Sequence, residues 1–370
     1  MNIIVDRSYR TGLDTAFYDR VEELGFLRRI IDTHRLTVVY GPRNVGKSEL
    51  ARYLLRSMNT TALRVDARLL SVKDLAARTS VEVLGRITPS RIVDELVEDV
   101  VEALVPGGRI LNVALSLASA LRQKLSGSML LLVDEFHELP GYRGERGRQY
   151  YEALDDLRSL AAYLAKNMSR IRVMVTVSEG FAATWDAWTR LEGYSTRWVL
   201  VEHLDQEHFK ALYDEYRSKH GCRLGLKEIY ALVGGTPGAL PDLCPLPRED
   251  LIEARVTAWL GEVETALSIA RSRLEAEGAS ITPVELVKET LILLREPVKP
   301  LRNPQRHILG QTLVEQNVFY PKIAPGGIHY RPQYPIYQVI ILEAARKEVE
   351  SLLDLDPGEV YESAVYDEKT

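Results

Sequence analysis

The sequence is poor in the features that mark several protein classes. It has two cysteines in 370 residues, Cys222 and Cys244. That is too few for a disulfide framework and fits a reducing compartment, so both are read as small buried residues. The longest apolar stretch, Ile110 to Leu121, is about twelve residues and is interrupted by Asn112, Ser116 and Ser119, too short to span a bilayer. Asp6 and Arg7 place charge too early for a secretory signal. A soluble, cytoplasmic protein is expected. There is no basic excess: 47 Lys and Arg stand against 52 Asp and Glu, a net charge of −5, which argues against binding nucleic acid over the whole surface and leaves room only for a local patch. No internal repeat or low-complexity tract occurs, which sets aside repeat architectures.

What is present begins with size. At 370 residues and 46% hydrophobic, the chain can bury a large core and is long enough for two or three domains. The most informative stretch is Gly41-Pro42-Arg43-Asn44-Val45-Gly46-Lys47-Ser48, which fills the G-x-x-x-x-G-K-[ST] pattern of a phosphate-binding loop. Leu36 to Tyr40 ahead of it is a strand-type run, and Glu49 to Leu55 behind it has helical spacing. In such a loop the glycines let the backbone approach a polyphosphate, while successive N–H groups and the helix N-terminus supply positive potential. Lys47 is expected to reach the β- and γ-phosphates, the Ser48 hydroxyl to hold Mg²⁺, and Gly41 through Glu49 to line the nucleotide.

A second buried strand supplies the acids. Met129-Leu130-Leu131-Leu132-Val133 is a run without alternation, as in the middle of a parallel sheet, and it ends in Asp134-Glu135. At the carboxyl end of such a strand Asp134 is placed to hold the metal through water, and Glu135 to orient or deprotonate an attacking water. Further along, Arg172 to Ser178 reads as another strand. Thr176 or Ser178 is placed either to touch a γ-phosphate through its hydroxyl or simply to bond the strand end.

Strands alternating with helices over the first 200 residues specify an α/β, doubly wound parallel sheet. A helix is expected from Phe17 to about His34 with Asp19 as its cap, and two more over about Ser90 to Val105 and Arg109 to Leu125. A Gly/Arg-rich loop spans Gly141 to Gly147, and a long helix covers Gln149 to Lys166. Beyond residue 200 the pattern is mainly helical, with Gly234-Gly235-Thr236-Pro237-Gly238 breaking the chain. From Ile281 the order is helix, helix and two short β segments, Val318 to Ile323 and Gly327 to Arg331, which is the order of a winged helix. The expected division is 1–200 for the phosphate-loop domain, 201–280 for a helical lid and 281–370 for a winged-helix domain with an acidic C-terminal tail.

Taken together, these motifs resemble the archaeal-type P-loop ATPases of the STAND branch of the AAA+ group. The resemblance covers about residues 15–340 and rests on four stretches. They are Phe17-x-x-Arg20-x-x-Glu23-Leu24, the loop at Gly41 to Ser48, Leu131-Leu132-Val133-Asp134-Glu135-Phe136, and Gly234-Gly235-Thr236-Pro237. It implies that Arg20 and Pro237 flank the nucleotide and that the lid reports its state to the C-terminal domain. The catalytic set expected is Lys47, Glu135 and Ser178, read from the loop and the strand ends, with Arg197, which lies in the region where such ATPases can place a sensor of the γ-phosphate. Position 21 is Val where such proteins usually carry an acid, and no arginine follows the strand ending at Ser178.

The function expected is a slow ATPase that uses ATP and Mg²⁺, cycles between ATP and ADP, and acts as a switch on its winged helix. Its partner would be an unidentified protein, with homo-oligomerisation left open. The alternative is an ATP-regulated DNA-binding protein like origin-recognition and helicase-loader ATPases. From Arg295 to Arg331 six basic residues face two acidic ones, but from Glu343 onward nine acids face three bases. The absence of an Asn-Lys-x-Asp tetrad favours adenine over guanine. His137-Glu138 lacks the second histidine of a zinc-protease motif.

Overall fold

The computed structural model describes residues 4–58, 60–68, 81–85, 129–139, 148–167, 171–177, 196–324 and 326–366, together with the single positions Glu98, Ile110 and Asn112. The expected helices at 90–105 and 109–125 lie outside the described residues apart from those three positions, each of them helical, and the loop 141–147 lies outside them entirely. The chain divides into two compact units. One is Arg20–Tyr40 with Lys47–Val201; the other is Met1–Asp19, Gly41–Gly46 and Glu202–Thr370.

The first unit is built on six strands. These are β3 (Leu36–Tyr40), β4 (Thr61–Asp66), β5 (Val81–Gly85), β6 (Met129–Asp134), β7 (Ile171–Thr176) and β8 (Thr196–Leu200), while β1 (Ile4–Asp6) and β2 (Phe17–Tyr18) belong to the other unit. The sheet order is β5-β4-β6-β7-β3-β8, with every neighbour parallel except β5, which runs antiparallel on the edge. The expected parallel α/β sheet is therefore present. Its central strands are apolar on both faces, as strands covered by helices on either side must be. Side chains alternate between the faces. Leu36, Val38, Leu63, Val65, Leu131, Val133, Val173 and Val175 pack with Leu154, Leu157, Leu160 and Leu164, which lie on the helix Arg148–Asn167. The opposite face therefore receives Arg64, Asp66, Leu132, Asp134, Met174 and Thr176. It is the face met by helix α2 (Lys47–Ser57), which buries Leu50, Ala51, Leu54 and Leu55. Polar residues at the strand ends thus share a face with the helix that begins at Lys47.

Helix α1 (Val21–Thr33) starts later than its sequence suggests. Asp19 and Arg20 have φ of 55° and 69°, left-handed values that cannot continue a helix N-terminally. Asp19 does not cap it; the N-cap is Arg20, whose carbonyl accepts from Leu24 N–H.

The second unit opens with a small antiparallel ribbon, β1 (Ile4–Asp6) with β2 (Phe17–Tyr18), where a helical start was expected for Phe17. Its other elements are mainly helices. They are α4 (Gln206–His220) and α5 (Leu226–Val233), a long helix α6 (Thr257–Ala276) entered through a π-helical turn at Leu251–Val256, α7 (Pro283–Arg295) and α8 (Pro304–Glu315); Arg148–Asn167 of the first unit is α3. A hairpin of β9 (Phe319–Ala324) and β10 (Gly327–Pro332) follows. Val298, between α7 and α8, adds a third short rung by exchanging both backbone bonds with Ile328. The stretch expected to be an acidic tail instead folds into α9 (Pro335–Lys347) and α10 (Pro357–Tyr366). Its acids from Glu348 to Glu362 are exposed, while Glu343 is buried along with Ile336, Tyr337, Ile340, Ile341, Val360 and Tyr361.

Cys222 and Cys244 are joined in a disulfide, which corrects the expectation of two free buried thiols. The turn after α4 carries Cys222 against the short helix Leu240–Leu243, and Arg223 N–H donates to the Cys244 carbonyl. Spacing in the sequence could not show that these two positions are neighbours.

Candidate active site

The loop joining β3 to α2 has the backbone that its sequence requires. Gly46 has φ of +98°, a conformation that side chains rarely adopt, so glycine is needed there irrespective of space. Asn44 is also left-handed, at 61°. Pro42 and Val45 are buried, and Arg43 and Asn44 are exposed. Lys47 opens α2 and is only 5% exposed. Glu49 is half-buried in the same first turn.

In the α/β unit Ser48, Asp134, Thr176 and Glu135 meet. Asp134 is fully buried at the end of β6. Its Oδ1 accepts from Ser48 Oγ at 2.8 Å and from Thr176 Oγ1 at 2.5 Å. Thr176, at the end of β7, accepts in turn from the Glu135 N–H at 2.8 Å. Its hydroxyl therefore holds the acid pair. Glu135 has φ of 53°, and this left-handed turn at the strand's carboxyl end sends the chain into a short 3-10 turn, Phe136–Glu138. The Glu135 carboxylate lies 3.6 Å from His137 Nε2.

Ser48 and Asp134 present hard oxygens 2.8 Å apart, the donor chemistry that Mg²⁺ takes when it keeps most of its waters. The residues fit that ion. When bound, it supplies charge neutralisation to the phosphates of a nucleotide.

Two neighbours of Asp134 were not anticipated. Arg64 Nη2 donates to Asp134 Oδ2 at 2.6 Å and to Asp66 Oδ2 at 2.9 Å. Burial works against the guanidinium's charge, but the adjoining carboxylates of Asp134, Asp66 and Glu82 more than compensate and raise its pKa. Only the register of β4 on β6, which sets Asp66 beside Asp134 and Arg64 beside Leu132, brings them together. Alternation within Arg64-Val65-Asp66 was the one available signal.

Of the other expected site residues, Arg197 falls elsewhere. Arg197 lies on β8 opposite Thr37, three residues before the carboxyl end of β3 at Tyr40 and so about 10 Å below it. Its guanidinium rests 5.9 Å from the centre of the Phe26 ring on α1. The structure does not bring it to the strand ends. Arg20 is buried and pairs with Glu23 at 2.8 Å. Ser178 lies outside the described residues.

In the second unit the loop backbone is held by two segments distant in sequence. Gly238 N–H donates to the Asn44 carbonyl at 3.0 Å, immediately after Pro237 opens a 3-10 turn. A Cβ at 238 would come within 2.8 Å of Asn44 Cβ, so this approach also needs glycine. Gln333, 1% exposed between β10 and α9, donates from Nε2 to the Arg43 carbonyl at 3.2 Å.

A Walker-type ATPase of Pyrococcus abyssi shares the fold at 18% identity, with a TM-score of 0.51 over 88% of this chain and 95% of that one. The ORC2 protein of Aeropyrum pernix, solved as ADPNP and ADP complexes, aligns at 12% identity with a TM-score of 0.44, over 98% of this chain and 99% of that one. No curated relative matches the sequence. The model of an ATPase domain predominantly from Archaea matches residues 17–243, more than half of the chain, and the protein therefore belongs to that family of P-loop ATPases.

Proposed function

We propose that this archaeal-type P-loop ATPase is a nucleotide-operated switch of the STAND kind, in which ATP·Mg²⁺ bound at the phosphate loop sets the arrangement of the C-terminal helices and hairpin. The observation that carries this reading is the capture of two consecutive loop carbonyls, Arg43 by Gln333 and Asn44 by Gly238. A loop that reshapes around phosphates must alter both bonds. One leads to the lid turn around Pro237 and the other to the exit of the β9–β10 hairpin. The succession α6, α7, α8 and hairpin, with the Val298 rung, supports a winged helix as the controlled element.

In this reading Lys47 and the loop amides bind the triphosphate, while Ser48 and Asp134 hold the metal. Glu135, fixed through its N–H by Thr176, takes the proton of the attacking water as base. Turnover is slow if the role is signalling. With the intact chain, Lys47→Ala is expected to abolish ATP binding measured by calorimetry. Glu135→Gln is expected to keep binding while phosphate release falls by about 100-fold or more. Equal affinity in the Lys47 variant removes the reading; unchanged turnover in the Glu135 variant removes the base.

A DNA-binding role is the second reading, favoured by the exposure of Arg295, Lys299, Arg302 and Arg331 around the hairpin and its helices. Against it, Arg306 is bound to Glu289 and Glu296, and Lys322 to Glu202. A mobility-shift titration at two salt concentrations separates the two, because contacts to DNA phosphates weaken steeply as salt rises.

A further inference from the structure

The mechanism above uses one oxygen of Asp134, yet both are committed. Oδ1 faces Ser48 and Thr176; Oδ2 faces Arg64. A fully buried carboxylate is free to turn about its last torsion unless something holds it, and without a counter-charge its ionised form is costly. Arg64 answers both needs from the neighbouring strand. It is itself anchored on the far side by Asp66 at 2.9 Å and, more loosely, by Glu82 at 3.8 Å. Glu82 is in turn gripped by Arg52 at 3.1 Å and Arg56 at 2.9 Å, both on α2, the helix that presents Ser48. The charges therefore close a ring from α2 through β5, β4 and β6 back to the first turn of α2.

We propose that Arg64 is a positioning residue for the metal-binding carboxylate: by occupying Oδ2 of Asp134 it keeps Oδ1 turned toward the Ser48 hydroxyl, so that the pair is preset for a divalent cation. The inference rests on the ATP·Mg²⁺ reading given above. The guanidinium does not compete with the metal, because it sits on the other oxygen. Preset ligands bind more tightly because the ordering is already done, and partners that orient a ligand typically control metal affinity by 10- to 100-fold.

The test compares the full-length wild type with Arg64→Met and Arg64→Lys, titrating ATP by calorimetry in excess Mg²⁺ and again in EDTA. Arg64→Met is expected to weaken binding by about tenfold or more in Mg²⁺ while changing it by less than about twofold in EDTA. Arg64→Lys, which keeps the charge, is expected to recover most of the loss. A merely structural role would lower both affinities together. Should Arg64→Met not fold, Asp66→Asn, which removes the anchor of Arg64, decides by the same two titrations: a loss confined to Mg²⁺ supports the proposal. Unchanged or tighter binding of Mg²⁺·ATP by either variant overturns it. A wild type that binds ATP equally with and without Mg²⁺ instead overturns the metal reading of Ser48 and Asp134, a separate failure visible before any variant is made.

Discussion

The side-chain amide of Gln333, a buried residue, donates to the main-chain carbonyl of Arg43 across 290 positions of sequence, at 3.2 Å. Its own carbonyl oxygen is buried with no hydrogen-bond partner among the described residues, while the Gln333 backbone carbonyl meets His203 Nε2 at 3.0 Å. A half-satisfied buried amide adds little to stability, since a buried acceptor left unpaired costs about 1–3 kcal/mol. Its value lies in linking the phosphate loop to the hairpin exit.

Gln333→Leu, which removes both the bond and the unpaired acceptor, is accordingly expected to leave thermal stability within about 1 kcal/mol of wild type. ATP affinity should change by less than about fivefold, the equivalent of one such bond. What should disappear is the ATP-dependent change in amide hydrogen exchange over residues 319–332. If that change persists in full, the link does not transmit the nucleotide state.

The disulfide between Cys222 and Cys244 spans 22 residues that include α5 and the turn that presents Gly238 to Asn44. Closing a loop of that length restricts the unfolded chain by about 3 kcal/mol in the chain-entropy model. Reduction by dithiothreitol, or Cys222→Ser, is expected to lower the melting temperature of this unit by about 6–12 °C. Differential scanning calorimetry with and without reductant measures it, and coincident transitions rule out a stabilising bridge.

Glu215 on α4 ties down the N-terminal ribbon. Its carboxylate accepts from the Tyr18 hydroxyl at 2.6 Å and the Ala16 N–H at 3.1 Å, and pairs with Arg10 and Lys219 at 2.8 Å. Burial alone raises its pKa, but the bonds from Lys219, Tyr18 and Ala16 outweigh this and hold it down at about 2, from an ordinary 4.5. A depressed folded value gives stability that is complete above the unfolded pKa and lost as pH falls toward the folded one. Wild type should therefore lose stability between about pH 4.5 and 2 through this group. Glu215→Gln should be less stable at pH 7 and show a smaller acid decline in chemical denaturation. Parallel declines for the two proteins would show that Glu215 contributes nothing to it.

Much of this protein is determined by local sequence, because local chemistry decides it. The phosphate loop is legible in eight residues, since only glycine tolerates the backbone at 46 and only a strand before and a helix after can place Lys47 and Ser48. The apolar run ending in Asp134-Glu135 reads as a strand buried on both faces, and that reading places its acids at the carboxyl end of a parallel sheet. Strand register, chain reversal and long-range pairing are decided by packing between segments far apart, and there the sequence was silent. Arg64 became a partner of Asp134 through the register of β4 on β6. Arg197 was carried to the Phe26 ring rather than the strand ends because β8 pairs with β3 from the first residue of both strands, which sets Arg197 opposite Thr37 near the start of β3. Cys222 met Cys244, and Gln333 met Arg43, because helices folded back between them. A carboxylate at a strand end is a property of the strand; which cation holds its second oxygen is a property of the sheet.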